Sequence, residues 1–205
     1  VTFTNKAAAE MKERIRRQLG EMVKLGYVGT YHSFCVRVLR IFWEAAGLRK
    51  NFIIYDDDDQ KSLLKQIIQE KKLDKKTPGY FAYYISLAKN QMIVPEKFLE
   101  NFKFHQSALV ADVYFQYQKR LEKNRGVDFD DLLIKTVYLL QKKDDVLDYY
   151  HNKYKYFLVD EFQDTNYVQY LLTKLLAERS KNITVVGDFS QSIYSWRGAD
   201  ITNLK

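Results

Sequence analysis

Apolar residues along the first fifty positions recur at helical spacing, broken by short β-rich stretches. Ala7, Met11, Ile15 and Leu19 stand four apart, with Lys12, Arg16 and Arg17 on other sides of the same turn pattern. Thr4 or Asn5 is a suitable cap before them, and Gly20 a suitable stop. Val1–Thr4 reads as a strand and so does Tyr27–Thr30, followed by a helix from about Ser33 to Ala46 that Gly47 ends. Strand–helix–strand–helix is the rhythm of a parallel α/β sheet. From about residue 51 the rhythm becomes helical. Asp56–Asp59 can cap a helix carrying Leu63, Leu64, Ile67 and Ile68. Pro78-Gly79 interrupts before Tyr80–Asn90, Pro95 suits a helix start, and Leu109, Val113, Tyr117 and Leu121 mark a longer helix. No strand is expected through about residue 125.

Asp128 then caps a helix bearing Leu132, Leu133, Val137 and Leu140, and the α/β rhythm returns. Tyr156–Val159 is an apolar run ending in Asp160-Glu161. Ile183–Val186 is a second such run, ending in Gly187-Asp188. Uninterrupted apolar strands predict cover on both faces of the sheet. The expected fold is α/β, with residues 1–50 and 126–205 forming one lobe and residues 51–125 a helical insertion.

Charge adds one feature to this outline. The chain of 205 residues carries a net +7, and its first fifty residues hold ten basic against four acidic groups, so most of the excess sits there. Such a segment fits a polyanion partner, through counterion release, or simply a solvated lysine-rich helix face. The single cysteine, Cys35, excludes an internal disulfide framework and suits a reducing cytoplasm. No run approaches the roughly 18 apolar residues of a membrane span, and no secretory signal pattern opens the sequence.

Two adjacent carboxylates at the end of a buried strand lie where ligands bind in parallel sheets. One can hold Mg²⁺ bound to nucleotide phosphates, and its neighbour can orient or deprotonate the attacking water. Farther on, Gln191 precedes Tyr194, Trp196 and Arg197. An amide there can sense a γ-phosphate, while the rings offer stacking faces to unpaired bases. Each fragment alone also fits an ordinary turn, core aromatic or surface ion pair. His32 and Cys35 have metal-compatible spacing but no second ligand pair, and His105 and His151 are expected on the surface.

Five blocks change the picture: Thr2-Phe3-Thr4-Asn5-Lys6-Ala7-Ala8, Gly29-Thr30-Tyr31-His32-Ser33, Asp128-Phe129-Asp130-Asp131-Leu132, Asp160–Thr165 and Gln191–Ala199. In this order and spacing they resemble superfamily 1 DNA helicases of the UvrD/Rep/PcrA group, over the whole chain. The resemblance implies a partial RecA-like P-loop NTPase lobe with an inserted all-α subdomain. The implied protein is an ATP-dependent 3′–5′ DNA helicase of the cytoplasm, using ATP and Mg²⁺. Its implied partners are single-stranded DNA, DNA junctions and the remaining helicase lobe. By resemblance Asp160 is the Mg²⁺-associated carboxylate, Glu161 the catalytic base and a second metal-side oxygen donor, and Gln191 the γ-phosphate contact. Phe3, Tyr194 and Trp196 are implied base platforms, and Asn5, Lys6, Thr30, His32 and Arg197 lie near the strand. Phe162 and Phe189-Ser190 depart from residues frequent in the group. The group's phosphate-gripping Gly-x-x-x-x-Gly-Lys-[Ser/Thr] loop, which lies upstream of the position of Val1, does not occur in these residues. The second lobe follows the position of Lys205. The chain alone is therefore expected to show negligible ATPase activity. A non-catalytic nucleic-acid scaffold and a nuclease-associated helicase subunit are the rival readings.

Overall fold

A computed structural model describes residues 1–20, 22, 25–73, 76–188 and 190. The chain divides into two compact units, Val1–Ala46 with Lys135–Lys205, and Gly47–Ile134.

In the first unit, helix α1 (Asn5–Leu19) starts where the Thr4 hydroxyl accepts the Ala7 N–H at 3.1 Å, and ends at Gly20, whose φ of 88° no β-carbon favours. Helix α2 (Tyr31–Ile41) starts in a capping box formed by Thr30 and Ser33. It stops five residues short of the expected Ala46. The expected strands at Val1–Thr4 and Tyr27–Thr30 contract to a single parallel bridge between Thr2 and Thr30. Strand β3 (Phe157–Val159) runs parallel to β4 (Ile183–Val185), with Leu158 opposite Thr184. Between them helix α9 (Tyr167–Ala177) begins at an Asn166–Gln169 capping box. The core of the unit gathers Phe34, Cys35, Val38 and Leu39 with Val137, Leu140, Tyr150, Val168 and Leu172, all buried. Each such side chain contributes about 1.5–3 kcal/mol relative to exposure.

The expectation of strands covered on both faces is not met: on one side Val159 is buried but Ile183 and Val185 are exposed, and the other side is barer still. Tyr156, Leu158 and Val186 share a side of the β3–β4 pair and are 75%, 66% and 59% exposed. Nothing among the described residues covers them.

The second unit is helical around one short parallel pair. Strand β1 (Ile53–Tyr55) pairs with β2 (Gly126–Asp128), Ile53 opposite Gly126. Here the structure adds two strands that no sequence pattern announced. Helix α3 (Asp57–Glu70) is capped by Asp56, which accepts two backbone N–H groups. Helix α4 (Pro78–Asn90) includes Pro78-Gly79, the expected break, because Thr77 caps it and proline suits a first helical turn. Short α5 (Phe98–Asn101) and long α6 (Ser107–Lys123) follow. Leu64, Ile67, Phe81, Ile85, Phe98, Val110, Val113, Tyr117 and Leu121 form the core. Helix α7 (Phe129–Lys142) holds the boundary between the units, and α8 (Asp144–Lys153) follows it in the first.

Candidate functional site

The site grows from strand ends lying side by side in the first unit. Beyond β3 the Asp160 N–H donates to the Val1 carbonyl at 3.0 Å, and the Thr2 N–H donates to the Gly29 carbonyl at 3.0 Å. On the other flank the Val186 N–H donates to the Val159 carbonyl at 2.8 Å. The order across this edge is therefore Gly29-Thr30, Val1-Thr2, Leu158–Asp160, Val185-Val186. Segments from opposite ends of the sequence meet here, and three of the five sequence blocks emerge together.

Side chains tie the segments further. The buried Thr2 hydroxyl donates to Asp160 Oδ2 at 3.1 Å. Glu161 follows in a left-handed conformation, φ 54° and ψ 43°, which costs a non-glycine residue about 1–2 kcal/mol. It turns the chain sharply out of the sheet edge. Gln163, 1% exposed, donates through Nε2 to Glu161 Oε2 at 2.7 Å and accepts the Asp188 N–H through Oε1 at 3.0 Å. Its amide orientation is fixed by chemistry, since a carboxylate accepts and an N–H donates. A β-carbon on Gly187 would stand 2.6 Å from Gln163 Oε1, so glycine leaves the room this contact uses. Sequence reading placed Thr2 and Gln163 inside their blocks but gave neither a role. A hydrogen bond reaching twenty-five residues along the chain leaves no local signal.

The expected DNA-side residues lie close to this edge. Phe3 is half-buried between Thr2 and the α1 cap, and Asn5 and Lys6 open α1, exposed. Thr30 is buried as the α2 cap, accepting the Ser33 N–H at 3.2 Å, and His32 is half-buried in the first turn. Gln191, Tyr194, Trp196 and Arg197 lie outside the described residues.

Over residues 1–205 the chain matches the family described as the UvrD/REP helicase N-terminal domain. It belongs to that family. As a member of the UvrD/REP helicase N-terminal domain family, it is 46% identical over 206 residues to a protein named ATP-dependent DNA helicase PcrA from Staphylococcus aureus. It is 48% identical to the protein of that name from Bacillus subtilis strain 168. Each match covers the whole of this chain and 28% of the relative, so the chain spans about a quarter of their length. The mixed architecture with short parallel strands is the fold of a partial RecA-like lobe of that family.

A fourth block of this UvrD/REP-family chain, Asp128–Leu132, builds a buried ion cluster in the second unit. Lys89, 1% exposed, places Nζ 2.6 Å from Asp128 Oδ2 and 2.8 Å from Asp131 Oδ1. The Tyr117 hydroxyl donates to Asp128 Oδ2 at 2.9 Å, and the other Asp128 oxygen accepts the Asp131 N–H, capping α7. Burial pulls the Lys89 pKa down, but Asp128 and Asp131 more than reverse this and hold it well above the ordinary lysine value. Burial, then Asp128, pushes Asp130 up to about 7, against the attraction of Lys89 and a hydrogen bond with Ser86. Several carboxylates around one ammonium favour retention of a proton. Sequence reading gave Lys89 no role.

Other candidates resolve plainly. Cys35 is buried in α2 beside Thr136, and burial pushes its thiol up to about 12, which suits packing rather than reactivity. His105 is exposed as expected. His151 is not: it is buried, and its Nε2 donates to the Leu175 carbonyl at 2.9 Å, joining α8 to α9. No metal-binding group of three or more His, Cys, Asp or Glu side chains occurs among the described residues, nor does any helix long and apolar enough to cross a membrane.

Proposed function

We propose that this chain is the part of an ATP-dependent DNA helicase that hydrolyses ATP against Asp160 and Glu161 and passes the result to single-stranded DNA. The protein then moves 3′ to 5′ along one strand and unwinds duplex and junction DNA, in the cytoplasm. One observation carries the reading. The Thr2 hydroxyl is bonded to Asp160, while Thr2 itself continues through Phe3 into the Asn5-Lys6 start of α1. A displacement at the nucleotide carboxylates is thus one residue from the proposed base platform.

The residues fit a nucleotide-bound Mg²⁺ better than a protein-caged one. Two adjacent carboxylates, one oxygen of Asp160 already taken by Thr2, leave few protein donors, and Mg²⁺ characteristically combines one or two carboxylates with substrate phosphates. Asp160, with Glu161 beside it, would hold the ion, which supplies charge neutralisation to the phosphates. Glu161 accepts the proton of the attacking water on the oxygen that Gln163 leaves open. Gln191, a few residues beyond Gly187-Asp188, contacts the γ-phosphate. Phe3, Tyr194 and Trp196 stack bases, and Asn5, Lys6, Thr30, His32 and Arg197 hold the strand. The units correspond to the RecA-like core and an inserted accessory subdomain, whose polypeptide includes β1 as well as helices.

The test uses the full-length protein to which this chain belongs. Glu161→Gln is expected to lower DNA-stimulated ATP hydrolysis by about 10²–10⁴-fold, the usual worth of a general base, while leaving single-strand binding intact. Unwinding should need a 3′ single-stranded tail. Retained hydrolysis in Glu161→Gln would remove the proposed base, and unwinding from a 5′ tail alone would reverse the assigned direction. The 205-residue chain by itself, lacking the phosphate-gripping loop, is expected to hydrolyse ATP negligibly.

A further inference from the structure

Three of the ten basic residues in the first fifty, Lys12, Arg16 and Arg17, line one cleft. Helix α1 and the segment Tyr27–Gly29 face each other across this cleft of about 710 Å³ within the first unit. Ala8 and Ala9 give its α1 wall a low centre, and Lys12, Glu13, Arg16 and Arg17 continue that wall along the helix. Glu13 is paired with Arg17, which neutralises the acidic group of the wall. Lys12 and Arg16 are exposed and without an ion-pair partner among the described residues. Four residues apart, they stand about 6 Å from each other along the helix, so each can meet a different phosphate of one strand.

The opposite wall is aromatic and fixed. The Tyr27 hydroxyl donates to the Thr30 carbonyl at 2.9 Å and lies 2.7 Å from Ser33 Oγ, and its ring packs edge-on against Phe34 at 5.2 Å. Gly29 maintains this arrangement, since a β-carbon there would stand 2.5 Å from the Tyr27 hydroxyl. A fixed ring on one wall of a cleft, and on the other two cations without an ion-pair partner among the described residues, is the combination that binds unpaired nucleic acid, with charge for the backbone and a ring for a base. Paired bases would have no use for that ring.

We infer that this cleft is an additional seat for single-stranded DNA, in which Lys12 and Arg16 take consecutive phosphates and Tyr27 supports a base. The inference rests on the DNA-binding reading above and extends it: Asn5, at the start of α1, also lines the cleft, so a strand passing Asn5 continues along the helix.

Titrating the full-length protein with a fluorescein-labelled oligothymidylate by anisotropy, across a series of salt concentrations, tests this. In Lys12→Ala/Arg16→Ala the slope of log K against log salt should fall by about 1.4, two single-strand phosphates at roughly 0.7 each. Lys65→Ala/Lys123→Ala, a charge-matched pair on the second unit, should leave it unchanged, and so should blunt duplex with either variant. Tyr27→Leu should weaken single-strand binding roughly tenfold, whereas Tyr27→Phe, which keeps the ring, should retain most of it. An unchanged slope in Lys12→Ala/Arg16→Ala, with wild-type binding intact, would overturn the cleft but leave the helicase reading standing. An equal fall in the control pair, or equal losses on duplex, would reduce the cleft to unspecific charge and likewise overturn it. No single-strand binding by the wild type would defeat the helicase reading itself.

Discussion

Gln163 uses both ends of one amide at the strand edge. Replacing it by alanine removes the donor that holds the Glu161 carboxylate and the acceptor of the Asp188 N–H. In the full-length protein Gln163→Ala should lower kcat for DNA-stimulated hydrolysis by about 10²-fold with KM for ATP nearly unchanged, as expected when a reacting group is misplaced by about an ångström. A fall confined to KM would move Gln163 from positioning to ground-state binding. Lys89 is a structural counterpart. Removing its charge in Lys89→Met leaves Asp128 and Asp131 facing each other in a buried site, a loss of about 3–5 kcal/mol readable by urea unfolding. Asp130 adds a pH dependence of definite sign. Its folded pKa, about 7, lies above that of an unfolded aspartate, so the folded state binds the extra proton between about pH 4 and 7. That contribution is complete below pH 4 and lost as pH rises through 7, and Asp130→Asn should flatten this part of the stability profile. A profile unchanged by Asp130→Asn would place the titration elsewhere.

Among elements, what could be read from the sequence was what is locally determined. Thr4 and the Asp56–Asp59 run read as caps in the sequence, and Thr4 and Asp56 each accept an N–H three residues ahead. Thr30 and Asn166 cap α2 and α9 in the same way but were not named as caps by the sequence pattern, and α2 starts at Tyr31 rather than at the expected Ser33. Helix ends were less visible: α2 stops at Ile41 although apolar residues continue past it. Strands of three residues were least visible, because pairing partners rather than periodicity define them. β1 exists because Ile53-Ile54-Tyr55 meets Gly126-Val127-Asp128, more than seventy positions along the chain. Asp160 and Glu161 were legible as strand-end carboxylates, whereas Thr2 and Gln163 acquire meaning once distant segments are adjacent. The β1–β2 pair also depends on one missing side chain. A β-carbon on Gly126 would stand 2.6 Å from the Tyr55 ring, which also touches Asn124 through its hydroxyl. Gly126→Ala should therefore cost about 1–3 kcal/mol by overpacking, and Tyr55→Val should restore most of the loss in the double variant. Additive rather than compensating effects in thermal unfolding would locate the strain in the backbone instead of the ring.

At the scale of the whole molecule, the informative feature is the bare side of β3 and β4. Polar residues would predominate there if water were the permanent neighbour, yet Tyr156, Leu158 and Val186 share that side with Asn182 and Thr184. At about 25 cal/mol per Å² of apolar surface removed from water, contact between two such faces is favourable, and the short strands offer few charges to oppose it. The 205-residue chain in isolation should therefore self-associate, with light scattering showing a mass that rises with concentration. Leu158→Lys/Val186→Lys should hold it monomeric without loss of helical signal, since both side chains point away from the buried Val159. The same pair in the full-length protein should act in the opposite sense and lower thermal stability, because a strand apolar on both sides is suited to cover. An isolated chain that stays monomeric at high concentration, together with a full-length variant as stable as its parent, would mean that this face tolerates water despite its composition.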